Sequence, residues 1–489
     1  MKPSWLENAG GFIAGRWITD SSEGSFEVVN PSTGAVLARL PNMGAAETTI
    51  AIEAAARSLV PDEPLLERRR WLTGIHDRLL AEKEEFVRLI TWENGKPLKE
   101  AITEVEYTCG FFRFFAEQIH RIEPERLPVP VRRCVWTTYQ RPAGVAGLIA
   151  PWNFPLAMLG KKVAPALAAG CGAIVKPAQK TPLSMIALCR IADQSGVPPG
   201  RLNVVVGRAA PIGETLCSHP TVRLISFTGS TEVGEWLAVK SAPHLKRLAL
   251  ELGGNAPFVV LEDANLEVAA DALLANKFRA GGQTCVCANR VYVQERVARA
   301  FIDLVAARVC KLRVGDGQDP ATDIGPLIDR AQFEKVARHV RDALQRGARR
   351  IVGHDPAPPD RDWGAFFPPT VLTGVTCDML VCREETFGPV IAIATFADEK
   401  EAITAANSTC YGLAAYVFSE NARRLDRLVP QLQFGHVGLN TGTGPTPEAP
   451  FGGFKRSGFG REGGLEGLLE YCEPQVLARA WNADRDWPS

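Results

Sequence analysis

An excess charge of either sign, regularly paired cysteines, a membrane-length apolar run and a glycine-rich dinucleotide fingerprint are all missing from this chain. Lys plus Arg and Asp plus Glu each number 55 in 489 residues, so the formal net charge is zero. That balance disfavours nucleic acid or an acidic membrane surface as a partner, because both are held through a positive excess. Twelve cysteines are scattered singly apart from Cys285 and Cys287, without the spacing of a disulfide framework or of a second metal half-site. A reducing, cytoplasmic setting and no metal site are expected. Residues 1–25 mix Lys2, Glu7, Arg16, Asp20 and Glu23 with short apolar pieces, so no secretory core is present. The most apolar stretch, Gly144 to Leu159, is interrupted by Pro151, Asn153 and Pro155 and is too short to span a bilayer. None of the seven histidines falls in a motif, which leaves a Cys-His protease arrangement without support.

What is present is length and alternation. At roughly 100 to 200 residues per domain, the chain has room for two or three domains and a large core. Between Val145 and Leu252, continuously apolar runs (Val145–Ala150, Ala173–Val175, Leu202–Val206, Leu224–Thr228) alternate with amphipathic patterns (Leu156–Ala169, Ser184–Gln194, Pro211–Ser218). Runs apolar on both faces between amphipathic helices predict a doubly wound α/β domain with a parallel sheet. Helical patterns at Thr48–Ser58, Pro64–Glu93 and Lys99–Ile119 should pack on its flank. A second alternation from Ala256 to about Ser457, with helices near Leu266–Phe278, Glu295–Val309 and Arg330–Arg346, predicts a second α/β domain. Two remote pieces, Arg132–Gln140 and Leu468–Arg479, read as a small protruding sheet, and Asp355–Asp360 as a Pro-rich surface loop.

The chemistry gathers in three short motifs. Cys285 lies in Gly282-Gln283-Thr284-Cys285-Val286-Cys287, Glu251 in Glu251-Leu252-Gly253-Gly254-Asn255, and Asn153 in Pro151-Trp152-Asn153-Phe154-Pro155. A thiol adds readily to a carbonyl near neutral pH, the adduct needs a donor for its oxyanion, and a carboxylate can bring water to release it. Each residue has a plainer alternative: Cys285 as a small buried hydrophobe, Asn153 as a turn residue between prolines, Glu251 as a solvated strand end.

Together these motifs resemble the aldehyde dehydrogenase superfamily from Asn30-Pro31-Ser32-Thr33-Gly34 to Gly458-Phe459-Gly460-Arg461-Glu462, and Lys277-Phe278-Arg279 before the cysteine motif is similar to its succinate-semialdehyde dehydrogenase branch. The resemblance implies that Cys285 attacks an aldehyde, that the hemithioacetal is oxidised, and that water activated by Glu251 hydrolyses the thioester. Asn153 and the Cys285 backbone N–H would hold the oxyanion. It implies an NAD(P)-binding domain over 1–120 and 143–253, a catalytic domain over 254–467, and an oligomerisation arm over 121–142 and 468–489, hence a homodimer or homotetramer.

With no Gly-x-Gly-x-x-Gly after the first strand, Phe227-Thr228-Gly229-Ser230-Thr231-Glu232-Val233-Gly234 is the expected pyrophosphate site at a helix start. By likeness, Trp152, Lys176, Gln179, Gly229, Ser230, Gly234, Glu385 and Phe387 contact NAD or NADP. Gln179 stands where NAD-preferring relatives carry a glutamate, which together with the adjacent Lys180 favours acceptance of NADP. For the substrate, Arg279 stands where semialdehyde dehydrogenases place an arginine for a distal carboxylate, and Lys161 where they place a second one. Thr446 takes the place of a serine, Phe451 completes the expected set, and Ala280 replaces a usual asparagine. A cation in an apolar tunnel implies an anionic aldehyde carrying a carboxylate, phosphonate or sulfonate. The alternative is that Arg279 and Lys161 reach solvent or meet structural carboxylates. Cys287 reads equally as a packing residue or as a partner for a reversible disulfide with Cys285.

Overall fold

From Val145 to Glu251 the expected alternation closes into a sheet in the computed structural model of the chain, which describes residues 3–129 and 134–480. Its eight strands lie in the order Arg16–Ile18, Gly11–Ile13, Leu202–Val204, Gly172–Lys176, Val145–Ile149, Val222–Thr228, Arg247–Glu251, Gly458–Phe459. The five central strands are parallel and almost wholly buried. Helices Ala157–Ala169 and Leu183–Gln194 cover them, and Leu65–Ala81 and Leu98–Gln118 pack around these. Phe111, Phe112 and Phe115 on the last helix are no more than 2% exposed. Each such ring contributes about 1.5–3 kcal/mol relative to exposure.

The order of this sheet positions the site. After Val145–Ile149 the chain adds strands on one side, then returns to add Val222–Thr228 on the other. The crevice outside the carboxyl ends of strands at such a reversal is where open α/β sheets bind ligands.

A second, seven-stranded sheet runs Arg349–Val352, Thr370–Thr373, Val390–Phe396, Ala288–Gln294, Ala256–Val260, Ala414–Phe418, His436–Leu439, parallel except for its first edge strand. Helices Leu266–Lys277, Glu295–Val309 and Arg330–Gln345 fall where the periodicity predicts them. The doubly wound sheet and second α/β sheet of the sequence reading are thus both present. The third component is small: Cys134–Pro142 pairs antiparallel with Cys472–Ala480 over its whole length, with Glu125–Leu127 at its other edge. Residues 130–133 and 481–489 of the expected arm lie outside the described residues.

Three features depart from expectation. The short strands between Gly11 and Pro41 went unread, because three to six residues are too few to display a period, and they become strands by meeting a sheet edge or each other. The pattern over Pro64–Glu93 forms two helices, Leu65–Ala81 and Lys83–Asn94, turning at Glu82, whose side chain pairs with Arg190 of a neighbouring helix. Gly458–Phe459, expected in the second α/β domain, returns to pair with Leu250 and Glu251 in the first sheet.

The loop before Cys285 is held in an unusual backbone conformation. Ala280, Gly281 and Gly282 all have positive φ, of 50°, 62° and 77°. Glycine adopts this region freely, whereas alanine there is strained by about 1–2 kcal/mol. The Ala280 N–H donates to Glu100 Oε2 at 2.8 Å and its carbonyl accepts from Gln283 Nε2 at 2.9 Å, which holds the turn. Ala280→Gly is expected to raise stability by about 0.5–1 kcal/mol, measured as a higher urea midpoint, after the greater freedom of glycine in the unfolded chain is counted. A lower midpoint would show that the turn is unstrained.

Candidate active site

Four carboxyl ends of the first sheet deliver residues to one crevice: Val145–Ile149 leads to Trp152 and Asn153, Gly172–Lys176 ends on Lys176, Val222–Thr228 leads to Gly229 and Ser230, and Arg247–Glu251 ends on Glu251. The second sheet meets it with amino ends, since Cys285 precedes Ala288–Gln294, and Glu385 and Phe387 precede Val390–Phe396. A cavity of about 460 Å³ lined by Cys285, Glu251 and Asn153 occupies the junction. A larger one of about 860 Å³ adjoins it, and Pro151, Trp152, Thr228 and Gly229 line both.

Buried polar atoms are normally paired, so unpaired ones mark places meant for a ligand or water. Asn153 Oδ1, Thr228 Oγ1, Glu251 Oε1 and Arg279 Nε are buried without a protein partner, and all four residues line the smaller cavity. Asn153 Nδ2 donates one hydrogen to Gln283 O at 2.8 Å, which leaves its second hydrogen available. Among the described residues no acceptor engages the Cys285 backbone N–H. Two open donors on the cavity wall that also carries the thiol are the groups an oxyanion site would need.

Burial dominates the electrostatics of both the thiol and the carboxylate. Burial, Glu385 and Glu251 push the Cys285 thiol up to about 12 against the pull of Lys161 and Arg279, so the resting sulfur keeps its proton. Burial and then Glu462 push Glu251 up to about 8, partly offset by Lys161 and Lys162. A carboxyl titrating there is matched to base work just above neutrality.

The larger cavity tests whether a dinucleotide fits. Lys176 is 4% exposed, among the described residues its ammonium makes one hydrogen bond, to Pro177 O at 3.0 Å, and burial alone lowers it to about 8. An ammonium so poorly partnered suits the hydroxyls of a ribose. Gly229 lines the cleft just before helix Thr231–Ser241, whose amide groups suit a pyrophosphate, while Ser230 lines the adjoining smaller cavity with its hydroxyl accepting from Val233 N. Gln179 lines the cleft as well. Trp152 stands edge-on to Phe387, ring centroids 5.6 Å apart, and Glu385 accepts from Gly254 N at 3.3 Å. Gly234 is not among the lining residues: a Cβ there would lie 2.3 Å from Leu252 Cδ2, so its part is to let the helix approach the residue after Glu251. Lys180 is also not free, since its ammonium pairs with Asp329.

On the substrate side, Arg279 and Phe451 line the smaller cavity, but Thr446 is exposed and its neighbour Pro445 takes the wall position. The Arg279 guanidinium lies 5.3 Å from the Phe154 ring centroid, and among the described residues no carboxylate stands within salt-bridge distance of it. Lys161 lines the same cavity, yet its ammonium is paired with Glu462. That is the structural-carboxylate alternative of the sequence reading, realised for one of the two cations.

The aldehyde dehydrogenase family model matches residues 17–477 of the chain. The chain belongs to the aldehyde dehydrogenase family. It is 42% identical over 485 residues to a glutarate-semialdehyde dehydrogenase of Pseudomonas aeruginosa, covering 98% of this chain and 99% of that one. It is 44% identical over 473 residues to a 3-sulfolactaldehyde dehydrogenase of Pseudomonas putida, covering 96% of each. A crystal structure of succinate-semialdehyde dehydrogenase from Burkholderia pseudomallei superposes with a TM-score of 0.95 at 45% identity, over 98% of this chain and 100% of that one. This aldehyde dehydrogenase is an oxidoreductase that acts on an aldehyde with NAD or NADP.

Several residues that shape the aldehyde dehydrogenase site carried no local sequence signal. Lys96, fully buried with Glu104 at 2.5 Å, donates to Asn153 O at 2.8 Å, while Glu104 accepts from Leu156 N and Ala157 N. This pair holds the Asn153 loop in place. Gln332 Nε2 donates to Phe387 O at 2.8 Å and Thr386 O at 3.2 Å, which offsets the strain of Phe387 at φ 55°. His339 lies beneath, its Nε2–H donating to Glu384 Oε2 at 3.2 Å and its Nδ1 accepting from Thr386 Oγ1 at 3.3 Å. Glu384 has only acceptors, so the tautomer follows from it. Among the described residues no group of His, Cys, Asp and Glu is arranged to hold a metal. No helix among them is long and apolar enough to cross a membrane.

Proposed function

We propose that this aldehyde dehydrogenase oxidises an aldehyde bearing a distal anionic group to the carboxylic acid, by way of a thioester on Cys285. The observation that carries the reading is Arg279: a guanidinium on the wall of the cavity that holds Cys285, with Nε unpaired and no salt bridge among the described residues, Glu100 on the same wall feeling its charge without pairing with it. A cation left unneutralised beside aromatic walls favours an anionic ligand, and a planar fork suits a carboxylate, sulfonate or phosphonate. The relatives' substrates include both a carboxylate and a sulfonate aldehyde, so the acidic group is left open between these.

In the reaction, Cys285 Sγ bonds to the aldehyde carbon as its proton passes to Glu251, directly or through water. The second Asn153 Nδ2 hydrogen and the Cys285 N–H stabilise the tetrahedral oxyanion. The bound dinucleotide supplies the acceptor for the two electrons and hydrogen of the aldehyde carbon. Glu251, once it has given the thiol's proton up to solvent, takes a proton from water as that water adds to the thioester, and passes it to the Cys285 sulfur as the C–S bond breaks and the acid leaves. That buried carboxylate favours hydrolysis over transfer to coenzyme A, which needs no water-activating base. Lys176, Gln179, Gly229, Ser230, Trp152, Glu385 and Phe387 hold the dinucleotide. Gln179 brings no negative charge against a 2′-phosphate, so NADP is accepted through that absence and not through Lys180. The protruding sheet, with Val476 and Leu477 exposed, serves pairing with a second copy.

Replacing Arg279 by leucine is expected to raise KM for an ω-carboxy aldehyde by about ten- to a hundredfold, and to leave KM for a neutral aldehyde of equal length within about twofold, since a charged hydrogen bond contributes about 1.5–3 kcal/mol. Equal changes for both aldehydes would remove the anionic-substrate reading. Absence of any NAD(P)H signal with every aldehyde tried would instead favour a non-catalytic binding protein.

A further inference from the structure

Two adjacent buried lysines share a single carboxylate. Lys161 Nζ pairs with Glu462 Oε2 and Lys162 Nζ with Glu462 Oε1, and Lys162 also donates to Ser226 Oγ at 3.0 Å. The three side chains are 4%, 0% and 7% exposed. The trio therefore carries one net positive charge in a place that water does not screen, where charge interactions are far stronger than at the surface. Lys161 and Glu251 both line the catalytic cavity, and Glu251 Oε1 there has no protein partner.

We infer that Lys161 works on Glu251, as the excess cation of the Lys161–Glu462–Lys162 trio, and does not bind the distal anion of the aldehyde. The inference rests on Glu251 being the base of the proposed reaction. Lysine is a compact point charge, and here Glu462 engages it, with the Phe451 ring centroid 5.7 Å away. A substrate anion would have to compete with a buried carboxylate for it, whereas the Arg279 guanidinium in the same cavity forms no salt bridge among the described residues. What Lys161 adds beyond Lys162 is net charge: Lys162 alone neutralises Glu462, and Lys161 makes the sum positive.

The groups facing Glu251 are Glu462, Lys161, Lys162, Arg461 and the Cys285 thiol, and those facing Lys161 are Glu462, Tyr107 and Glu251. Burial opposes the Lys161 ammonium, but Glu462, Tyr107 and Glu251 outweigh it and keep the charge in place. Glu251 is raised by burial and by Glu462 and lowered by both lysines. Removal of Lys161 therefore raises Glu251 further. A base works only when deprotonated, so the acid limb of activity moves to higher pH.

The test compares Lys161→Met and Lys161→Arg with the parent enzyme, over a pH series, on an ω-carboxy aldehyde and a neutral aldehyde of equal length. Lys161→Met leaves Glu462 paired with Lys162, so a folded protein is expected. Its kcat should fall about tenfold at neutral pH for both aldehydes and recover in alkaline buffer, the acid limb having moved up by about one pH unit. The ratio of the two KM values should not change, and Lys161→Arg should keep the parent profile. A KM increase confined to the carboxy aldehyde with an unmoved limb would make Lys161 a substrate ligand and overturn the inference. An equal loss at every pH would reduce Lys161 to a structural role and overturn it as well. Glu251→Gln run alongside separates the two readings. If it retains full turnover, the base assignment fails. If it is inactive while Lys161→Met moves no limb, only the present inference fails.

Discussion

Cys285→Ala is expected to reduce aldehyde-dependent NAD(P)H formation by more than about a thousandfold, while thermal stability and dinucleotide binding change little. The proposed reaction passes through a covalent bond to this sulfur, and Cys285 is the one cysteine among the described residues that line the cavity. A thousandfold loss corresponds to about 4 kcal/mol of barrier, a modest demand when the nucleophile itself is removed. Cys285 is half-buried at the cavity wall, so losing one sulfur atom opens little new space and the fold should tolerate it. The measurement pairs steady-state rates with intrinsic fluorescence titration of the dinucleotide against Trp152. Turnover within tenfold of the parent enzyme would show that aldehyde oxidation here does not go through the thiol.

Glu251→Gln separates the two halves of the reaction. Glutamine retains the shape but cannot accept a proton, so steady-state turnover should fall by about 10²–10⁴-fold, the usual contribution of a general base. Acylation should still yield a single enzyme-equivalent burst of NAD(P)H, at a rate reduced to whatever extent Glu251 also receives the thiol proton. The acyl group then remains on Cys285, visible by intact mass. The parent enzyme should gain rate as pH rises toward about 8, because Glu251 is protonated below that value and base above it, and the variant should lose this limb. A variant with undiminished turnover and no trapped adduct would show that water reaches the thioester by another route.

Much of the architecture could be read before any coordinates, for identifiable reasons. A strand buried on both faces must be continuously apolar, as Ala146–Leu148 and Ile174–Val175 are, and a covering helix must be amphipathic, so the alternation from Val145 to Leu252 carried its own evidence. Cys285, Glu251 and Asn153 stood out because the chemistry of acyl transfer needs those residue types and each sits in a short distinctive motif. Pairings made at a distance leave no such trace. Lys161 read as a substrate cation because nothing in the 300 residues between Lys162 and Glu462 announces their contact. Likewise Lys180 gave no hint of Asp329, and Gly234 read as a phosphate-loop glycine because its approach to Leu252 exists only in space. Thr446 failed because its proline-flanked loop turned Pro445 inward in its place.

By itself the sequence determined which chemical groups this aldehyde dehydrogenase possesses and the two layered sheets that display them, since composition and periodicity act locally along the chain. Tertiary structure alone decided which of those groups are already neutralised. Charge pairing depends on separation in three dimensions, and among the described residues it leaves Arg279 without a salt bridge while turning Lys161 toward Glu462.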